Sequence, residues 1–392
     1  MRLQRRPEKT SYPMSMRPNI LFLTSNIAGG GAENHFIRLV PYLFPDAASK
    51  LAVSVIAPKN EVIIDGIDLF TLGRSSRASY WRIIRKLCAI IDDHHIDLVY
   101  SFSRTANFLA FFSIIFCHKK PRWVAGINSQ PCRAHDLYPS LAGVLRLFAK
   151  KLIYPRADLV ICNSASAEKE LTDRLRLDPE KIAIVKNPVP IEDIRSKSFA
   201  ETENECIDGR RFLLSAGRLC DGKGFEDLLD VFHQIKDSIP YDLIILGDGP
   251  LRLALENKIN LLKMSDRGHL PGWLENPFPS FRKAELYITA SYWEGLPNTV
   301  LEAMVLGIPV ISSMSTSWIN EFSRLGACKS FPVGNKASMR QMIMEVLSDQ
   351  NIRTKLIEKA SELIKQFGVK PVAEERNNYL KKLFKTSTND AS

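Results

Sequence analysis

The chain is predicted to be an α/β protein of two domains, each a doubly wound parallel sheet. Three observations predict this. Short apolar runs alternate with amphipathic stretches along most of the 392 residues, the pattern of βα repeats rather than hairpins. Each half opens with an apolar run that stops at a glycine-rich turn before a helical stretch, once near residue 24 and again near residue 216. Between the halves, Asn187-Pro188-Val189-Pro190 and a polar run through Glu201, Glu203, Asn204 and Glu205 to Gly209 break the pattern, as an interdomain boundary does. The expected division is an extension over 1–17, a first domain over 18–190, a linker over 191–209, a second domain over 210–370, and a last helix with a loose tail over 371–392. The two sheets are expected to face one cleft.

In the first half, Asn19–Thr24 reads as a buried strand. Gly29-Gly30-Gly31-Ala32-Glu33 follows, then a helix from Asn34 to Leu43 with Phe36, Leu39, Val40 and Leu43 inward. Such a turn lets backbone approach a ligand phosphate, although three glycines also read as a flexible turn. Leu51–Ala57 and Ile63–Leu72 read as strands. A helix over Ala78–Asp92 turns Ile83, Ile84, Leu87, Ile90 and Ile91 inward and Arg82, Arg85 and Lys86 outward. Ile96–Phe102 and Trp123–Ile127 are strands, with a buried helix over Ala106–Cys117 between them. Asn128 and Ser129 form a polar turn after the second, with His135 in the next loop. Leu137–Tyr154 is amphipathic and basic. Leu141, Val144, Leu145, Phe148 and Leu152 recur at helical spacing while Arg146, Lys150 and Lys151 lie elsewhere, which suits either core packing or an anionic bilayer. Ala157–Cys162 and Ile182–Val185 are the last strands of this half.

The second half restarts at Arg211–Ala216, a strand running into Gly217-Arg218-Leu219-Cys220-Asp221-Gly222-Lys223-Gly224 and a helix from Glu226 to Lys236. Arg218 and Lys223, flanking a glycine turn at a strand's carboxyl end, suit a diphosphate; two solvated loop charges is the plainer reading. Tyr241–Leu246 is a strand, after which Asp248 is expected to cap a helix. Leu286–Ala290 is a further buried strand. The loop after it holds Trp293, Glu294, Gly295, Leu296 and Pro297, and Asn298 or Thr299 is expected to cap a helix from Val300 to Gly307. Pro309–Ser312 is the next strand. Glu294 and Glu302 bracket the helix start, and the N–H groups of Asn298–Val300 suit an anion. Carboxylates for hydroxyls and N–H groups for a phosphate fit a sugar nucleotide. Acidic residues favoured by the helix dipole are the alternative.

Glu-Gly-Leu-Pro-Asn-Thr-x-Leu-Glu-Ala-Met-x-x-Gly-x-Pro-Val over residues 294–310 resembles the donor-site signature of retaining family 4 glycosyltransferases, which have the two-domain GT-B fold. Gly217-Arg218-Leu219 followed by Lys223-Gly224-Phe225 resembles that family's second donor motif. The resemblance implies that Arg218 and Lys223 bind the diphosphate and offset charge growing on it as it departs. It implies that Glu294 holds donor-sugar hydroxyls and Glu302 the ribose, with Gly217, Gly295, Leu296, Pro297, Asn298 and Thr299 around the donor. Leu270 would lie near the base, and Gly30 and Gly31 would face the donor from the first domain. The family often places a histidine where this chain has Asn128 and Ser129, so which of Asn128, Ser129 or His135 stands in for it is open. No covalent nucleophile, metal or other cofactor is expected, and the last helix is expected to cross back onto the first domain.

The implied activity is metal-independent, retaining transfer of a hexose or N-acetylhexosamine from a nucleotide sugar, UDP expected over GDP. The acceptor would be lipid-linked or a polysaccharide, in the building of exopolysaccharide, capsule or O-antigen. A sugar-nucleotide epimerase or hydrolase on the same fold, and a non-catalytic nucleotide-sugar-binding protein, are the alternatives.

Composition narrows the partners. Hydrophobic content of 45% and charged content of 24% are ordinary for a globular protein. Residues 1–190 carry 27 Lys and Arg against 16 Asp and Glu, while 191–392 carry 26 against 27, so the whole net charge of +10 arises in the first half. No nucleic-acid module is recognisable, which leaves an anionic membrane or a lipid-phosphate acceptor. The seven cysteines show no CxxC pair, and Cys88, Cys117, Cys162 and Cys206 read as buried thiols, favouring a reducing compartment. No run reaches the roughly 20 apolar residues of a membrane span. Residues 1–17 have basic residues but no apolar core, so a loose extension with Met14 or Met16 as the true start is expected. The expected location is cytoplasmic, peripheral at the inner face of the plasma membrane.

Overall fold

The computed structural model describes residues 17–26, 37–56, 64, 66–73, 80–127, 141–201 and 207–385, the side chains of 141–146 and 385 excepted. The chain divides into two compact units, one of residues 1–162, 168–185 and 373–392, the other of 163–167 and 186–372.

Among the described residues, seven parallel strands form the sheet of the first unit: β1 Asn19–Thr24, β2 Ser49–Ser54, β3 Asp68–Thr71, β4 Leu98–Ser101, β5 Arg122–Ile127, β6 Leu159–Cys162 and β7 Ile182–Ile184, in the order β3-β2-β1-β4-β5-β6-β7. The central strands are buried along their length. That is why they read as continuous apolar runs: a parallel sheet covered on both faces has no solvent side to alternate with. Helices Tyr80–Asp93, Arg104–Phe116 and Leu141–Ile153 connect them. In the first of these Ile83, Ile84, Leu87 and Ile91 are buried as their spacing predicts, while Ile90, also expected inward, is half-buried. Ser103 starts the second by accepting the Ala106 N–H. In the third, Phe148 and Leu152 are 67% and 45% exposed, so the core reading of that stripe fails at its carboxyl-terminal end.

In the second unit the sheet runs β10-β9-β8-β11-β12-β13, again all parallel, with β8 Phe212–Ala216, β9 Asp242–Leu246, β10 Gly268–Gly272, β11 Leu286–Thr289, β12 Val310–Ser313 and β13 Lys329–Phe331. Alternate residues feed two cores. Leu213, Leu243 and Ile245 pack with Phe225, Leu229, Phe232, Leu255 and Met339 on one face. Leu214, Ile244 and Leu246 pack with Phe281, Leu301, Met304, Phe322 and Leu363 on the other. The two-residue pleat thus sends one run of apolar side chains to both layers.

Several sequence expectations change in the folded chain. Residues 191–209, read as a linker, include the helix Ile191–Lys197, and Ile194 and Ile207 lie in the second unit's core with Phe281 and Val300. The Val189 N–H donates to Phe367 O at 2.7 Å, which fixes this segment onto the unit's last turn. Asp248 does not cap the following helix, which starts at Arg252 with Leu251 ahead of it; its carboxylate accepts the Gly249 N–H at 2.7 Å instead, because Gly249-Pro250 lengthens the turn. Asn298 and Thr299 do not cap the helix that ends at Val305 but form its first turn, after Pro297. The division between the units passes through the helix Val369–Lys385, whose residues from Ala373 onward belong to the first. There Arg376 donates to the Tyr100 hydroxyl at 2.6 Å, and Asn377 accepts the Phe44 N–H and donates to Tyr42 O.

Candidate functional site

β8 and β11 are neighbours in the second sheet although two strands separate them in sequence, and from β8 the chain winds outward in both directions. This is the topological switch point, where loops leave the carboxyl ends of the strands in diverging directions and leave a crevice. The loop after β8 carries Gly217, Arg218 and Lys223, and the loop after β11 carries Glu294 through Pro297. The structure therefore brings both sequence motifs to one place.

The two loops are bound to each other at several points. The Tyr292 N–H donates to Gly222 O at 2.8 Å. Lys223 Nζ pairs with Glu294 Oε1, which also accepts from Ser291 Oγ at 3.0 Å. Ser291 is buried and held in turn, its carbonyl accepting from Ser313 Oγ at 2.5 Å. Two glycines are required by this approach. A Cβ at Gly222, where φ is +85°, would stand 2.3 Å from the Trp293 ring, and one at Gly224, where φ is +67°, would stand 2.1 Å from Ala290 O. Arg218 is exposed on the same loop, just ahead of buried Leu219.

Below the loops lies Tyr287, fully buried in β11. Its hydroxyl donates to Ala216 O at 3.2 Å. Burial pushes its pKa well above the ordinary range, the hydrogen bond with the Thr299 side chain pulls it back in part, and the charges of Glu302 and Glu294 push it further. Tyr287 thus stays a neutral donor beneath Thr299 and both carboxylates. Glu302 stands in the second turn of the helix Asn298–Val305, half-buried, while Val300, Leu301, Ala303 and Met304 face the core. The Val300 N–H donates to Pro297 O at 3.2 Å, so of the three N–H groups expected to suit an anion, that of Val300 is engaged. The side chain of Asn163, at the end of β6 and part of the second unit, lies beside Gly295, and the backbone carbonyl of Asn163 accepts from Trp318 Nε1 at 2.6 Å. Leu270 sits in β10, its carbonyl accepting from Arg252 at 2.9 Å.

A charged network braces the site loop from outside. The Tyr292 hydroxyl donates to Asp227 Oδ2 at 2.6 Å, and Lys336 pairs with Asp227 at 3.0 Å and Asp230 at 2.6 Å. These carboxylates raise the Lys336 pKa, and the hydrogen bond to Asp227 raises that of Tyr292.

Gly30, Gly31, Asn128, Ser129 and His135 lie outside the described residues. The residues that sequence reading missed are Ser291, Tyr287 and Asn163. Ser291 and Asn163 had a signal, a polar residue directly after a buried strand. Tyr287 had none, because its hydroxyl lies within an apolar run. Among the described residues no group of three or more His, Cys, Asp or Glu is placed to hold a metal.

The model for "Glycosyltransferase Family 4" matches residues 29–193 and that for "Glycosyl transferases group 1" matches 197–363. Together they span both units. The chain belongs to these glycosyltransferases. It is 25% identical over 371 residues, 91% of its length and 97% of the relative's, to the Campylobacter jejuni N-acetylgalactosamine-N,N'-diacetylbacillosaminyl-diphospho-undecaprenol 4-alpha-N-acetylgalactosaminyltransferase. It is 23% identical over 375 residues, 91% of its length and 96% of the relative's, to a second C. jejuni enzyme, GalNAc-alpha-(1->4)-GalNAc-alpha-(1->3)-diNAcBac-PP-undecaprenol alpha-1,4-N-acetyl-D-galactosaminyltransferase. A crystal structure of Anabaena HepE in complex with UDP-glucose superposes with a TM-score of 0.75 at 18% identity, covering 93% of this chain and all of the other. The fold of this glycosyltransferase is GT-B.

Proposed function

We propose that this glycosyltransferase retains anomeric configuration and moves a hexose or N-acetylhexosamine from a UDP-sugar to a lipid-linked acceptor, in the assembly of a cell-surface glycan. The observation that carries the reading is the Lys223–Glu294 pair at the switch point, with exposed Arg218 on the same glycine loop. The second unit holds the donor. Arg218 and Lys223 take the diphosphate, and the charge that grows on it as the sugar departs is offset by cations already in place. Their two charges supply what a metal supplies elsewhere. The first two N–H groups of the helix Asn298–Val305, those of Asn298 and Thr299, have no intrahelical partner and suit a phosphate oxygen. Glu294 Oε1 is held by Lys223 and Ser291; Oε2 takes a donor-sugar hydroxyl. Glu302 takes the ribose hydroxyls. Gly217, Gly295, Leu296 and Pro297 keep backbone close to the donor, and Leu270 lies toward the base.

The reaction needs no covalent intermediate. The acceptor hydroxyl attacks the anomeric carbon on the face the phosphate leaves, the carbon–oxygen bond to the phosphate breaks, and that phosphate oxygen takes the acceptor's proton. The lipid-linked acceptor is supported by the diphospho-undecaprenol substrates in the names of the two C. jejuni relatives, and UDP by the ligand of HepE. The basic first half of the chain suits the same acceptor, and supports a position at the inner face of the plasma membrane.

The test is a product assay with UDP-glucose, UDP-galactose, their N-acetylamino forms and GDP-mannose on an undecaprenyl-diphosphate-linked sugar. The expected product has the donor's anomeric configuration by NMR and forms equally with a chelator present. Glu294→Gln is expected to lower turnover at least a hundredfold, about 3 kcal/mol of barrier, with an unchanged melting temperature. An inverted product, or full turnover by the folded variant, defeats the assignment.

A further inference from the structure

A surface of the first unit, which carries none of the residues assigned above, has side chains that suit a different solvent. Tyr80 and Trp81 open the helix Tyr80–Asp93 and are 45% and 50% exposed; Ile115 and Phe116 close the helix Arg104–Phe116 and are 46% and 52% exposed. They form a cluster. The Trp81 and Phe116 rings meet edge to face at 5.0 Å, and Tyr80 meets Phe108 at 6.0 Å. The guanidinium of Arg85 lies over the Trp81 ring at 5.8 Å. Arg82, Lys86, Arg104 and Lys120 are also exposed on these helices and the turn after them. Lys120 Nζ donates to the carbonyls of Ile114, Ile115 and Cys117, holding a cation at the end of the helix that presents Phe116. Of the two carboxylates at the far end of the first helix, Asp92 is occupied by His118 and the Lys119 N–H, and Asp93 is exposed.

We propose that Tyr80, Trp81, Ile115 and Phe116, ringed by Arg82, Arg85, Lys86 and Lys120, are a docking surface for an anionic phospholipid bilayer. The inference rests on the lipid-linked acceptor proposed above and says where the enzyme rests while it reaches that acceptor. Charge and side-chain type together select this occupant. Aromatic rings with a polar edge settle at the headgroup boundary, and Arg and Lys extend past them to lipid phosphates. Each cation near an anionic leaflet contributes about 1 kcal/mol. A protein partner's interface core is instead depleted of lysine and of charge generally. Arg156, just after the helix Leu141–Ile153, donates to Leu152 O and lies over the Phe111 ring of the helix Arg104–Phe116 at 5.9 Å, and Phe148 and Leu152 of the former helix are exposed as well.

The experiment uses the full chain and vesicles of phosphatidylcholine with 0–40% phosphatidylglycerol (about that range is where surface potential builds). Wild type is expected to float with anionic vesicles, and Trp81→Ser with Phe116→Ser to lose at least tenfold in binding. Arg85→Gln with Lys86→Gln is expected to lose binding at low anionic content and regain it as that content rises. Lipids brominated near the headgroup should quench wild-type tryptophan fluorescence, and Trp81→Phe should abolish most of that quenching. Turnover on the same acceptor in detergent is expected to stay at the wild-type level in all these variants, which separates this inference from the transferase reading. Equal flotation of wild type and the Trp81/Phe116 variant, quenching that survives Trp81→Phe, or no flotation of wild type overturns the proposal, whatever the detergent assay gives.

Discussion

Lys223 and Glu294 lie 71 residues apart in sequence and form one ion pair in the folded chain. What lets them meet is small: Gly222 accepts the Trp293 ring and Gly224 accepts the Ala290 carbonyl, each at a backbone angle that other residues adopt with strain. Gly222→Ala is therefore expected to act mainly on the site. The added methyl must displace the Trp293 ring, and with it the loop that holds Glu294. UDP affinity should fall about tenfold, roughly 1.4 kcal/mol, while the strain lowers stability by only about 1 kcal/mol. Calorimetric titration with UDP beside a thermal melt checks both. Unchanged affinity in a folded variant would show that the two loops are not coupled through this contact.

At the scale of the element, the strands of the second sheet are secured at the end opposite the site by Asp242. This carboxylate accepts from Arg210 at 2.7 Å, from Arg267 at 2.7 Å and from His269 at 3.3 Å. It thereby ties the start of β9 to residues just before β8 and at the start of β10. Burial pushes the carboxyl up, but the hydrogen bonds from the two arginines and the histidine outweigh it and hold the pKa below the ordinary carboxylate range. A lowered folded-state pKa stabilises the protein above about pH 4, and that contribution is lost as pH falls through the folded value. Asp242→Asn should cost about 2–3 kcal/mol at pH 7, where it leaves charged partners unpaired. The penalty should shrink toward pH 3, as the wild-type carboxylate itself protonates. Urea denaturation at the two pH values measures this; an equal penalty at both would assign the effect to shape rather than charge.

At the scale of the whole molecule, the charge imbalance bears on how the enzyme would meet the proposed acceptor. All of the excess positive charge arises in residues 1–190, and no helix among the described residues is long and apolar enough to cross a membrane. On the proposed membrane reading, association would be electrostatic with shallow apolar contact, screened over a Debye length of about 8 Å at physiological salt. Lys150→Glu with Lys151→Glu is expected to lower partitioning onto anionic vesicles at least tenfold at 50 mM salt (roughly 1 kcal/mol per charge). The difference should narrow as salt rises. Vesicle co-sedimentation across a salt series reads the slope, and a salt-independent wild type would rule out this mode of attachment.

The sequence by itself determined the class of fold and pointed to the residues proposed for the donor site. Buried parallel strands must be apolar throughout, and helices that cover them must carry stripes, so the βα repeat shows in a single chain. Arg218, Lys223, Glu294 and Glu302 were recognisable because turn residues and strand ends frame them, and such framing is local. Only the tertiary structure decided what those residues touch. That Lys223 pairs with Glu294, that Tyr287 lies beneath Glu302, and that Gly222 is a seat for Trp293 all depend on strand order, and strand order is a contact between distant segments. The same reason accounts for the misread linker. Residues 191–209 look polar and broken by proline in sequence, yet Ile194 and Ile207 find an apolar partner surface that exists only once the second sheet has formed. It accounts as well for Phe148, Leu152, Trp81 and Phe116: their spacing is that of core residues, and only the packed layer of helices shows which apolar side chains remain uncovered.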